Sequence, residues 1–164
     1  MITLQQLYLD SNMFTGTLPS GFGQLSVLQL LEVYNNKFSG TLPTELAYLT
    51  DLTSLSLGMN AFTGTLPTEW GQIGALKELF VHTNRLRGTI PSEYSALTSL
   101  ITFSTDNNGI TGTLPTQLGG MATLQILSVK QNMLAGTLPT ELGQLTALTS
   151  LDVSFNALNG TLPT

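Results

Sequence analysis

No cysteine occurs in the 164 residues, and histidine occurs once, at His82. Disulfide staples and thiolate chemistry are thereby excluded, and a zinc site built from Cys and His has no donor set. The lack of cysteine does not assign a redox compartment, because a well-packed chain needs no staple. Charge is sparse as well: five Lys and Arg stand against ten Asp and Glu, for a net charge of -5. Lys37, Lys77, Arg85, Arg87 and Lys130 form neither a run nor a stripe, which argues against a nucleic-acid partner, since phosphate neutralisation needs clustered cations. No apolar stretch approaches the length of a membrane span and no signal peptide is recognisable, so direct membrane insertion is not expected. No serine-elbow motif accompanies His82, and the acids Glu32, Asp106 and Asp152 are far apart along the chain. Neither a triad nor a carboxylate pair emerges, and the expectation is a protein that is not an enzyme and carries no cofactor and no metal.

What the sequence has in abundance is repetition. Asn12, Asn36, Asn60, Asn84, Asn108, Asn132 and Asn156 are spaced by 24 residues, and so are the glycines from Gly16 to Gly160. All seven prolines, from Pro19 to Pro163, fall on the same beat. The aligned unit reads L-x-x-L-x-L-x-x-N-x-(F/L)-x-G-T-L-P, its first leucine at Leu4, Leu28, Leu52, Leu76, Leu100, Leu124 and Leu148. Within "LTSLSLGMN", Leu55 and Leu57 alternate with Ser56 and Gly58, the period-two pattern of a short half-buried strand. One such strand cannot bury its face alone. Stacked copies can, with the chain returning behind them to enclose a continuous core.

The pattern resembles leucine-rich repeats, and its G-x-(L/I)-P element resembles the plant-type subclass found in plant receptor-kinase ectodomains and polygalacturonase inhibitors. The resemblance implies an α/β solenoid, a right-handed superhelix with a concave parallel β-sheet, a second short strand per coil, and short 3₁₀ or α turns on the convex side. It covers residues 1–164 as one domain of about seven repeats. It also implies a buried asparagine ladder, and an extracellular or cell-surface setting with a protein, peptide or glycan as ligand. Disulfide-bearing caps, usual in that subclass, are missing from this sequence.

Each coil supplies about seven inward apolar positions, as in Leu52, Leu55, Leu57, Phe62, Leu66, Trp70 and Ile73. Gly64 and Pro67 are expected to bracket the second strand, and Trp70, Ile73 and Leu76 to line a short helical turn. Thr105 interrupts a column otherwise filled by Leu9, Val33, Leu57, Val81, Val129 and Val153, so its hydroxyl is expected to bond to backbone. Neighbouring Phe103 replaces a leucine. No polar capping segment flanks the repeats, so exposed core at the ends and head-to-tail self-association are expected, unless the chain is cut from a longer array. One sequon, Asn159-Gly160-Thr161, fits glycosylation of a secreted protein.

Function is expected where the repeat varies. One column of the concave face runs Tyr8, Glu32, Ser56, Phe80, Ser104, Ser128, Asp152. The next runs Asp10, Tyr34, Gly58, His82, Asp106, Lys130, Ser154, and a third runs from Ser11 through Met59 and Thr83 to Phe155. Tyr8, Tyr34, Lys37, Phe80, His82, Arg85, Asp106, Lys130 and Phe155 are the candidate ligand-binding residues, centred on Tyr34, Phe80, His82 and Arg85. A competing feature is the invariant row Thr17, Thr41, Thr65, Thr89, Thr113, Thr137 and Thr161, expected to face outward. A second row, Thr15, Ser39, Thr63 and Thr111, partly doubles it and is interrupted by Arg87, Ala135 and Asn159. Flat threonine arrays resemble the faces of solenoid ice-binding proteins, which makes ice binding a minor alternative to recognition and to self-assembly.

Overall fold

The computed structural model describes residues 3–162. Seven three-residue strands, Gln6–Tyr8, Leu30–Glu32, Ser54–Ser56, Glu78–Phe80, Thr102–Ser104, Ile126–Ser128 and Ser150–Asp152, pair in chain order into one parallel sheet, the concave face of a leucine-rich-repeat solenoid. The register is flush with the repeat, Gln6 opposite Leu30 and Leu31 opposite Leu55. The middle residue of each strand therefore stacks on its copy, and Leu31, Leu55, Leu79, Phe103 and Leu127 have no exposed surface. The core is a single column of such layers.

Each coil turns at its asparagine. In the fourth coil the Asn84 Nδ2 donates to the carbonyls of Val81 (3.1 Å) and His82 (3.3 Å) in its own turn and of Leu57 (3.1 Å) in the preceding coil. Its Oδ1 accepts the Phe62 N–H at 3.0 Å. The same set recurs from Asn36 to Asn156, whereas Asn12 bonds only within its own turn. From Asn36 to Asn156 the ladder residues are half-buried rather than buried, and Asn12 at the first coil is exposed. The residue before each asparagine takes the left-handed conformation, φ 52° to 55°, at Ser11, Asn35, Met59, Thr83, Asn107, Gln131 and Phe155. The third candidate column is thus a row of turn residues beyond the strands, not part of the sheet.

The second sheet comes earlier in the repeat than the Gly–Pro bracket suggests. Its strands are Thr15–Thr17, Lys37–Thr41, Ala61–Thr63, Thr111–Gly112, Met133–Gly136 and Ala157–Leu158, in two three-stranded groups. The glycine at the head of each GTLP or GTIP segment has φ between 76° and 84°, a left-handed bend close to the end of the pairing, which reaches one residue past it at Thr17 and Thr41. Thr15 pairs with Lys37 and Ser39 with Ala61, two residues short of the repeat length, so each coil slips against the next. The slip brings each GTLP threonine over the following coil's glycine. A Cβ on Gly40, Gly64, Gly88, Gly112, Gly136 or Gly160 would lie 2.7 to 3.0 Å from a threonine Cγ2 of the coil before. The threonine row is exposed, and it also packs: its methyls fill the space the glycines leave. The second row is occupied too, with Ser39, Thr63 and Thr111 donating to the carbonyls of Gly16, Gly40 and Gly88.

On the convex side every described turn is 3₁₀, each following a proline such as Pro67 at φ -66°. The Trp70 indole is fully buried and donates to the Pro43 carbonyl at 3.1 Å, tying the third coil to the second. Phe14, Phe38 and Phe62 stack between coils with centroids 6.0 and 6.2 Å apart.

Two hydroxyls break the pattern. Tyr94 Oη, buried edge-on to Phe103, and Thr105 Oγ1 have no hydrogen-bond partner among the described residues. Burial pushes the Tyr94 hydroxyl pKa up, and Glu69 and Glu93 add to the shift. The backbone bond expected for Thr105 does not form, while its own N–H donates to Ser128 and its C=O accepts from the ladder residues Asn108 and Asn132. Thr105→Val should therefore raise unfolding stability by about 1 to 2 kcal/mol in urea titration, since it removes an unpaired buried hydroxyl at matched volume. A loss of stability would show that the hydroxyl has a partner.

Candidate functional site

The concave sheet carries two different surfaces. In its C-terminal half the polar groups satisfy one another. Asp106 accepts from the Ser128 hydroxyl at 2.6 Å, the Lys130 N–H at 2.9 Å and the Ser104 hydroxyl at 3.3 Å. Lys130 lies 3.9 Å from Asp152 and 5.6 Å from the centroid of Phe155. Asp152 is held below the usual carboxylate range by bonds from Ser154, with Lys130 adding to the effect.

The N-terminal half is organised around a strand of small residues. Ser54, Ser56 and Gly58 face the same side, flanked by Glu32 and Tyr34 in one neighbouring strand and its turn, and by Glu78, Phe80 and His82 in the other. At position 58 a Cβ would stand 2.7 Å from His82 Nε2, so the imidazole lies in the space the glycine leaves. Over it the Tyr34 and His82 rings meet, centroids 5.8 Å apart at a 55° tilt, and the Tyr34 hydroxyl reaches Met59 Sδ at 2.8 Å. At the opposite end the Ser54 hydroxyl donates to Glu78 at 2.9 Å. Between them Ser56 stays half-buried. Burial pushes the Glu32 carboxyl above the usual range, and the like charges of Asp10 and Glu78 push it the same way.

The structure thus divides the nine candidate residues. Tyr34 and His82 touch, and Phe80 ends the strand that leads to His82. Tyr8 lies at the sheet edge, its hydroxyl 3.5 Å from Gln6. Asp106, Lys130 and Phe155 form the self-satisfied C-terminal group. Lys37 and Arg85 fall outside the concave sheet, because the ladder asparagine turns the chain just before them. Lys37 opens a second-sheet strand, and Arg85 donates its N–H to Phe62 there, beside a depression of about 630 Å³ also lined by Arg87, Gly109 and Met133. Glu32, Ser56 and Gly58 stand in the concave columns but outside the nine candidates, and Glu78 stands in neither, because their signal is visible only across three adjacent strands. Among the described residues no group of three His, Asp or Glu is placed to hold a metal, and no helix is long and apolar enough to cross a membrane.

The Leucine Rich Repeat family profile matches residues 3–25 and 27–49. No curated protein matches by sequence. Among solved structures, the plant peptide hormone receptor RGFR1 in complex with RGF2 is 33% identical over 92% of this chain, with a TM-score of 0.91. The Arabidopsis receptor kinase HAESA, in complex with the peptide hormone IDA and the co-receptor SERK1, is 32% identical over 98% of it, with a TM-score of 0.94. This chain spans only 24% and 27% of those two structures. A plant ice-binding protein, 23% identical over 98% of this chain and 67% of its own, with a TM-score of 0.71, shares the fold alone.

Proposed function

Because the chain is a plant-type leucine-rich-repeat solenoid, we propose that its concave face is a recognition surface for a peptide or an extended protein segment, in an extracellular or cell-surface setting. The observation that carries this reading is the group of half-buried Glu32, Tyr34, Phe80 and His82, assembled on a sheet whose core columns barely vary. Aromatic side chains held in place expose large contact area at small entropic cost, which is how interface anchors work. The peptide hormones bound by RGFR1 and HAESA support the ligand class, although this chain matches only part of either receptor. The threonine rows add no comparable argument for an ice surface, since the methyls of the invariant row lie against glycines and the Ser39, Thr63 and Thr111 hydroxyls of the second row are bonded to backbone within the stack.

The test is selection of peptides from a displayed random library on the immobilised chain, followed by titration of the enriched sequences. The double variant Tyr34→Ala, Phe80→Ala should weaken them about 100-fold, as loss of two anchors does, with the thermal transition retained. Equal affinity for parent and variant would move recognition off this face.

A further inference from the structure

We propose that the notch over Ser56 is a subsite for a cationic side chain, an arginine or lysine of the peptide; this rests on the concave-face reading and specifies its ligand. The notch is one strand wide, with flanking strands about 10 Å apart across it. Its floor is Ser56, and Ser54 and Gly58 on either side are buried. The Tyr34–His82 pair closes one end and the Ser54–Glu78 bond the other, while Glu32 and Phe80 flank the two sides in register with Ser56. A side chain entering from solvent meets aromatic faces and two carboxylates.

Charge complementarity selects the occupant. The Glu32 carboxylate makes no hydrogen bond or ion pair among the described residues, its backbone carbonyl alone accepting from Leu9, and the ion pair that is present joins Lys130 to Asp152 at the other end of the sheet. Desolvation and the neighbouring acids already penalise the Glu32 carboxylate. A guanidinium or ammonium group placed between Glu32 and Glu78 relieves that repulsion and lies against ring faces, the setting in which cation–π attraction adds to ion pairing. An anionic or purely apolar side chain would leave the repulsion in place. The small residues provide the room: a bulkier residue at position 56 fills the notch.

The experiment compares two fluorescein-labelled peptide pools that differ at one fixed position, arginine in one and its neutral isostere citrulline in the other, with random flanking residues. Anisotropy titration should show the arginine pool binding the parent about tenfold more tightly. The preference should vanish in Glu32→Gln, in Glu78→Gln and in Ser56→Phe, with melting curves confirming folded variants. It should persist in Glu141→Gln on the convex side, which controls for the general acidity of the chain. Arginine preference that survives the three notch variants, or equal binding of both pools with loss of both in Phe80→Ala, overturns the subsite and leaves concave recognition standing. If Phe80→Ala binds both pools as the parent does, the recognition reading fails and the subsite with it.

Discussion

Asn84→Ala is expected to destabilise the chain by about 3 kcal/mol, one of the two largest single-residue effects the fold implies. The amide holds two coils at once: it accepts the Phe62 N–H and spreads its two N–H donors over the carbonyls of Leu57, Val81 and His82. Phe62 is fully buried, so its amide has no water to turn to when Oδ1 is removed. Each orphaned group costs roughly 1 to 3 kcal/mol. Asn84→Asp keeps the acceptor but sets a carboxylate against carbonyl oxygens, and it should be at least as damaging at neutral pH. Protonation restores one O–H donor, so Asp should recover part of the loss in acid, whereas Ala should not. Urea unfolding of both variants at neutral and acidic pH reads this directly. A cost for Asn84→Ala below about 1 kcal/mol would mean that the ladder merely decorates a turn held otherwise.

Gly71→Ala is the second, also at about 3 kcal/mol. The methyl would sit 2.5 Å from the backbone oxygen of Glu93 in the next coil, and neither backbone can yield without parting the two 3₁₀ turns. Gly23 and Gly119 make the same approach to Glu45 and Glu141, while the intervening coils place Ala47 and Ser95 at this point. The convex turns therefore close up pairwise. Gly74→Ala in the same coil meets nothing within 4 Å and should change stability little. Equal effects at positions 71 and 74 would show that helical propensity matters here and coil spacing does not.

These residues also mark what the sequence makes legible. The leucines and asparagines announce themselves because each repeats a task inside its own coil, so strand, turn and core can be read from one period. The threonine of GTLP does not, since its partner lies in the next coil and is reached only through the two-residue slip of the second sheet: Thr65 covers Gly88. Lys37 and Arg85 look concave when columns are simply counted, because the left-handed residue that ends the strand is spelled six different ways over seven coils, from Ser11 to Phe155. Glu32 is missed for a related reason. Its meaning depends on the small residues of the next strand and on Glu78 and Phe80 in the strand beyond. Gly71 is hidden because only alternate coils need it.

The central claim is that the repeating positions hold the stack and leave the N-terminal half of the concave sheet free to read a peptide. Amide chemical-shift mapping with one library-selected peptide tests it most directly. The account predicts perturbations concentrated in Leu30–Glu32, Ser54–Ser56 and Glu78–Phe80 and in the turns carrying Tyr34, Gly58 and His82. Perturbations centred instead on the second sheet or on the convex 3₁₀ turns would contradict it.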